Sequence, residues 1–322
     1  MSAADKLRFL LDLQDSLGGS IPFDRWMREA LYHEKFGYYT AGIRGIGRRG
    51  DFTTWPVLHD SLAFAIGKWA LKNKPPGRWH LIEIGAGTGE LAAGVLRTIG
   101  WWKRPQYHIV DISPPLRAEQ QKRLGRKVAW HASVTDALTA CDGNALIFSN
   151  ELVDAFPARI FRKQENMWRE LALQITDDRI VEIWRESLLP QSTAFAHPWS
   201  EGQWIEVQES FHDWLKAWRP AWKSGAMLTI DYGDTCPALY HRRPRGTLRA
   251  YAHHQRLEGS EAYAGFGTRD ITVDVNFSDV QAWTDPSAKL LTLAEFIAGQ
   301  GAGNTPHLAE AGEAFKAVIQ SC

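Results

Sequence analysis

The chain has 322 residues, 37 of them basic and 37 acidic. That length is enough to bury a sizeable core, and the balanced charge provides no global field to gather nucleic acid. Three cysteines, Cys141, Cys236 and Cys322, lie far apart without CxxC spacing, which argues against a disulfide framework or a zinc motif; no metal ligands are expected.

The first stretch, MSAADKLRFLLDLQDS, carries apolar residues at Leu7, Leu10, Leu11 and Leu13 with acids between them. A signal peptide needs an unbroken apolar core and a transit peptide avoids acids, so the reading here is a cytoplasmic protein beginning with a helix over Ala4–Leu17. No run approaches the roughly 18 apolar residues that would cross a bilayer, so membrane insertion is not expected. A second helix is expected after Ser20, with Pro22 in its first turn and Phe23, Trp26, Met27, Ala30 and Leu31 at helical spacing. The glycine- and arginine-rich stretch from Gly37 to Phe52 reads as a lid over a ligand or as a solvated loop. A third helix follows Pro56, and the turn at Lys74 to Gly77 closes an N-terminal helical extension, residues 1–76. Most of the fifteen Trp should be core.

From Trp79 strand and helix alternate, as in a parallel sheet with crossovers. Leu81, Ile82 and Ile84 form a first strand, Gly85, Gly87 and Gly89 a loop, and Leu91–Leu96 the start of a helix. Such a unit offers free backbone N–H groups and a positive helix end to a polar ligand, which makes it a nucleotide-type site. Its spacing is G-x-G-x-G, with Glu90 where the dinucleotide fingerprint has its last glycine, so NAD is disfavoured. Glu83, an acid two residues before the first glycine, makes the string similar to the first motif of class I S-adenosylmethionine (SAM) methyltransferases, although glycine triplets also occur in ordinary turns. Tyr107–Asp111 is the second strand. Asp111, 22 residues after Gly89, stands where it could accept hydrogen bonds from both ribose hydroxyls of an adenosine, the alternative being an incidental strand-end aspartate.

Ser113-Pro114 opens a helix to Leu124, Lys127–Trp130 is a third strand, and Ala145–Phe148 a fourth. The fourth delivers Asn150, Glu151 and Asp154 to the carboxyl edge of the sheet, as site residues or as polar caps of the next segment. Residues 159–208 depart from this rhythm. A hairpin turning at Glu165-Asn166 and further strands at Arg179–Trp184 and Trp204–Val207 suggest an inserted antiparallel subdomain. Helix Ser210–Trp218 and a fifth strand, Ala226–Ile230, follow. The basic loop His241–His254 suits an acidic partner or a cofactor carboxylate, or simple solvation. Ile271–Phe277 alternates like an edge strand, Leu290–Ala298 reads as helix and Phe315–Ile319 as a closing strand. His253 and His254 lack metal-ligand spacing with any other cluster.

Several strings now converge: IPFDRWMREALYHEKFGYY, GDFTTWP, IEIGAGTGELA, VDISPPLRAEQ, NELVDAFPARIF, LTIDYGD, GTLRAYAHH, RDITVDVNFSDV and GEAFKAV. In this order and combination the chain resembles the MidA-like family of SAM-dependent methyltransferases, whose mitochondrial members help assemble respiratory complex I and methylate arginine in a protein subunit. The resemblance implies an α/β fold of the class I methyltransferase (Rossmann-like) type over residues 77–322. Its sheet would be mostly parallel with helices on both faces, carrying the insertion at about 159–208 after the extension 1–76. It implies SAM as cofactor at Glu83, Gly85, Gly87, Gly89 and Asp111, and an acceptor site at Asn150, Glu151 and Asp154. The implied activity is methyl transfer to an arginine of a protein partner such as a respiratory-complex subunit. The alternatives are a small molecule or modified peptide as acceptor, or SAM binding without turnover. The family's threonine-serine-proline-glutamate string is here Thr54-Trp55-Pro56-Val57, its usual proline after His33 is Glu34, and a glutamine near the late helix is Leu293.

Overall fold

A computed structural model describes residues 3–43, 56–176, 179–252, 255–258, 260–301 and 312–322. Most of the expected arginine-rich lid, together with Trp55, His253 and His254, lies outside the described residues. The chain forms two compact units: Met1–Ile43, Val153–His212 and Thr235–Asp279 make the first, and Arg44–Leu152, Asp213–Asp234 and Val280–Cys322 the second. The segment 1–76 is therefore shared between the units rather than standing apart as an extension.

The second unit contains the sheet expected from the sequence. Its strands are β1 (His80–Ile84), β2 (Gln106–Val110), β3 (Val128–His131), β4 (Leu146–Asn150), β5 (Ala226–Asp234), β6 (Lys289–Thr292) and β7 (Phe315–Ser321). They are ordered β6-β7-β5-β4-β1-β2-β3. The strands from β5 across to β3 pair in parallel, while β7 runs antiparallel to both β5 and β6. This is the doubly wound order 3-2-1-4-5-6 with one reversed strand slipped in between β5 and β6.

One face of this sheet carries the core. Leu81, Tyr107, Ile109, Phe148, Leu228, Ile230 and Ala317 point into it. Packed on them are Leu62, Ile66 and Trp69 of α1 (Pro56–Asn73), Leu91, Val95 and Leu96 of α2 (Glu90–Ile99), and Phe296 and Ile297 of helix Leu293–Gly299. Fully burying each such side chain contributes about 1.5–3 kcal/mol, which is how a short, irregularly punctuated sheet holds together. The two long helices cross closely because Gly94 has no side chain: a Cβ there would stand 2.6 Å from that of Ala63.

Two late segments differ from expectation. Leu290 and Leu291 belong to β6, and the helix starts only at Leu293, where Thr292 and Glu295 form a reciprocal capping box. A Thr-x-x-Glu string is a helix start, so the apolar residues before it were free to pair as strand. Ile271–Phe277 is not a single edge strand either. It divides into Asp270–Thr272 and Val275–Asn276, is buried on both sides of the chain, and leads at once into helix Phe277–Thr284.

The first unit is largely antiparallel. Met167–Thr176 pairs with Arg159–Gln164, Arg179–Arg185 and the two-residue strand Ile21–Pro22, and Arg159–Gln164 also pairs with Trp204–Val207. Pro22 thus ends a strand before helix Phe23–Tyr32 rather than lying inside that helix. At the hairpin tip Glu165 and Asn166 both take positive φ, 53° and 61°, as a two-residue turn matching strand twist requires. A second small sheet joins Arg249–Ala252 to Gln255–Glu258 and Asp270–Thr272. The basic loop is accordingly not simply solvated, because Arg243 and Arg249 both pair with the carboxylate of Asp274. Trp26 is fully buried in this unit, as Trp69 is in the other, whereas Trp101 and Trp102 are 72% and 95% exposed. Among the described residues no helix is long and apolar enough to cross a membrane.

Candidate functional site

The chain leaves β1 to build β2 and β3 on one side and then returns to β4 on the other side of β1, so β1 and β4 flank the switch point of the sheet. Ligands of open α/β sheets bind at the carboxyl ends of the strands at such a point. Register places Ile84 opposite Ser149. The loop Gly85–Gly89 and the pair Asn150-Glu151 therefore leave neighbouring strand ends together. The contact is close: a Cβ on Gly85 would stand 3.0 Å from Leu152 Cδ1.

Gly85, Gly87 and Gly89 all adopt positive φ, 69°, 53° and 78°. This is backbone that L side chains rarely take, and here it turns the loop into the first turn of α2. Gly85 N–H donates to Val110 O at 2.9 Å, which binds the start of the loop to the end of β2. Asp111 follows immediately and is buried. One of its oxygens accepts from Ser113 N–H at 2.9 Å and the other from Gln120 Nε2 at 2.7 Å. Burial pushes its carboxyl up, opposed by these two hydrogen bonds, by Arg117 and by the backbone of Ala86. A carboxylate has about four lone-pair sites, so the side chain keeps acceptor capacity for a ligand.

Gln120 is the residue that sequence reasoning missed. It lies on α3 (Pro114–Leu124) and is fully buried. Its amide donates to Gly87 O at 2.8 Å as well as to Asp111, and its carbonyl accepts from Trp130 Nε1 at 3.0 Å. A single amide thus fixes the middle of the glycine loop, the acid after β2 and an aromatic residue of β3. The available signal was the Ser113-Pro114 cap, which sets the phase of the helix and so aims position 120 inward.

Glu83 is 1% exposed and its Oε2 accepts from Tyr107 Oη. Burial raises its carboxyl to about 8, with the tyrosine bond opposing and the Asp111 charge adding. The folded protein therefore holds a proton there that the unfolded chain has already released, so stability falls as pH rises from the ordinary glutamate range through about 8. Glu83→Gln should flatten that slope, a difference to be read from urea-unfolding midpoints of both proteins at about pH 5 and about pH 8. Parallel curves would mean that Glu83 is ionised in the fold.

At the end of β4, Glu151 takes φ 50°, one of few non-glycine residues with positive φ. Its N–H donates to Ile230 O at 3.0 Å, and its Oε1 accepts from Asn150 Nδ2 at 3.0 Å. The following residue, Leu152, donates its N–H to Asp231 Oδ2 at 3.0 Å, so the buried aspartate of β5 holds the turn in place. Asn150 Oδ1 is buried without a hydrogen-bond partner. An acceptor left open at the carboxyl edge, beside a loop whose glycines leave the backbone bare, fits a ligand with N–H donors. Asp154 belongs to the first unit, where it is buried and its carbonyl accepts from Val273 N–H. Tyr39 donates to Asp270 Oδ1 at 2.6 Å in the first unit, and the ring of Tyr232 packs at a tilt against Phe315 in the second.

A family model described as "Putative S-adenosyl-L-methionine-dependent methyltransferase" matches residues 63–301. Among curated proteins the chain is similar to protein arginine methyltransferase NDUFAF7, mitochondrial, of Danio rerio, 26% identical over 81% of this chain and 67% of that protein. It is also similar to the mitochondrial homologues of that enzyme from Drosophila melanogaster, at 26% over 82% of this chain and 66% of that protein, and from Caenorhabditis elegans, at 26% over 84% and 69%. The chain thus spans about two thirds of the length of these relatives. A crystal structure of a protein from Burkholderia thailandensis described as a "likely methyl transferase", bound to S-adenosyl-homocysteine, matches with a TM-score of 0.81 at 28% identity, covering 98% of this chain and 92% of that one. The cytoplasmic location expected from the N-terminus is overturned by these relatives, whose names place them in mitochondria. Acids among the first residues, on which that expectation rested, are no guide to the compartment. With the fold, the glycine loop and the family model in agreement, the chain belongs to the S-adenosyl-L-methionine-dependent methyltransferase family that the model describes.

Proposed function

We propose that this methyltransferase modifies an arginine side chain of a protein partner, with Glu151 as the principal anchor of the guanidinium and Asn150 assisting. The observation that carries the reading is the backbone of Glu151. A residue with positive φ costs on the order of 1 kcal/mol when it is not glycine, and such outliers gather where the side chain has work to do. Here the strained position bears a carboxylate, at the switch point, with one oxygen already oriented by Asn150. The names of the relatives support the same acceptor.

SAM supplies an electrophilic methyl group on a sulfonium, and Glu83, the glycines Gly85, Gly87 and Gly89, and Asp111 are the residues proposed to hold it. The loop would present backbone N–H groups and the α2 terminus, and Asp111 would accept from the ribose hydroxyls. Transfer is an in-line displacement, so the contribution of the chain is alignment, worth about 7–11 kcal/mol at best. A guanidinium is planar and cationic. A carboxylate holds it through paired hydrogen bonds and draws its positive charge to one side, leaving the opposite nitrogen the better nucleophile.

Incubating the protein with methyl-labelled SAM and mitochondrial extract tests the reading. Label should enter a protein and, after hydrolysis, run as methylarginine. Label in a small molecule would transfer the reading to a metabolite acceptor, and label nowhere would favour binding without turnover.

A further inference from the structure

The sheet of the second unit carries an unassigned cluster on the face opposite Glu83 and Tyr107. His80 opens β1, His108 lies mid-way along β2, and His131 ends β3. In register, Ile82 stands opposite His108 and Val110 opposite His131. Because side chains alternate faces along each strand, the three rings stand on the same face in a diagonal row. His80 Nδ1 lies 3.0 Å from His108 Nε2, and His108 Nδ1 lies 2.8 Å from His131 Nε2. Cys141, the C-cap of α4 (Val134–Ala140), joins them from above. Ligand atoms of His80, His108 and Cys141 all fall within 4.8 Å of one another.

We propose that His80, His108 and Cys141 bind a divalent cation of the zinc class, with water completing a four-coordinate shell. Two nitrogens and one thiolate select borderline to soft metals over magnesium or calcium. In tetrahedral zinc the ligand atoms are separated by about 3.3 Å for two nitrogens and about 3.6 Å for nitrogen and sulfur. The row of rings needs to open only slightly to reach that geometry, and the thiol to draw in by roughly an ångström. Loading would break the His80–His108 contact and the 2.7 Å bond from Cys141 Sγ to Ala137 O, with the thiol proton passing to solvent. His131 is then the outer partner, since a ligating imidazole donates its other N–H to a neighbour that fixes its tautomer and orientation. His80 is half-buried and the adjacent Asp142 is exposed, so the metal has a route in.

The role is structural rather than catalytic. The ion would clamp β1, β2 and the end of α4, at the amino end of β1, roughly 15 Å of strand away from the glycine loop. Spacing could not disclose the site, because its ligands come from three separate elements and meet only through the register.

The test uses the full chain stripped with chelator and titrated with Co²⁺ alone. One equivalent should produce a thiolate-to-cobalt charge-transfer band together with intense four-coordinate d–d bands, and Zn²⁺ should displace it and raise Tm. Cys141→Ser should remove the charge-transfer band, His80→Ala should abolish tight binding, and His131→Gln should weaken it about tenfold or more. His80 is half-buried at a strand start, so its variant should fold even if the cysteine variant does not, and circular dichroism checks each. Absence of the band in the wild type, an unchanged band in Cys141→Ser, or an unchanged affinity in His80→Ala would overturn the proposal.

Discussion

Asp111→Ala should raise the dissociation constant for S-adenosyl-homocysteine by about 100-fold or more, because two hydrogen bonds to a charged acceptor, each worth about 1.5–3 kcal/mol, are lost together. The loss is compounded within the protein. Ser113 N–H and Gln120 Nε2 both donate to this carboxylate, and Gln120 also holds Gly87 O, so the glycine loop loses part of its support. Asp111→Asn keeps the shape and one acceptor, so its loss should be smaller, about tenfold. Calorimetric titration of S-adenosyl-homocysteine reads both, and thermal unfolding without ligand separates binding from folding. An affinity within threefold of wild type in Asp111→Ala would mean that the sugar is held elsewhere and that the proposed cofactor set is misplaced.

The central half of the fold was legible because its signals are local. Leu81, Ile82 and Ile84 make a short apolar strand, glycines follow at once, and Ser113-Pro114 announces a helix with a cap and a first-turn proline, which the structure bears out with Ser113 Oγ accepting from Leu116 N–H. The hairpin at Glu165-Asn166 was legible for the same reason, since Asn166 tolerates the left-handed backbone that a tight hairpin needs. Where reading failed, the deciding interaction was distant. Leu290-Leu291 pairs with Ala317 and Val318 across the reversed β7, and nothing within the segment announces that partner. Residues 1–43 share a compact unit with 153–212 and 235–279, a grouping made by strand pairs such as Ile21 with Leu173 and invisible to any window of sequence. The site shows the same division. That Glu83, the glycines and Asp111, the residues proposed to hold the cofactor, stand at neighbouring strand ends could be read from spacing, whereas Gln120, which ties the loop to Asp111, depends on the facing of a helix.

Glu151→Gln should lower kcat by about 100- to 1,000-fold while leaving cofactor affinity within about threefold, because it removes a charge aimed at the acceptor and no proposed contact to SAM. The amide keeps the size of the side chain, its Cβ and the bond from Asn150, so Tm should stay close to wild type. A second substitution separates chemistry from architecture. Glu151 sits at φ 50°, where glycine is at ease and other residues are strained by about 1 kcal/mol, so Glu151→Gly should be as stable as wild type or slightly more so and yet inactive. A residue retained for its fold would behave oppositely, losing stability when its side chain is cut away. Steady-state kinetics with the methylated protein identified in the labelled extract, set beside thermal unfolding of the same preparations, reads both quantities. Full turnover in Glu151→Gln, or a marked loss of stability in Glu151→Gly with activity retained, would take the acceptor away from this carboxylate and leave the strain at residue 151 to be explained by packing alone.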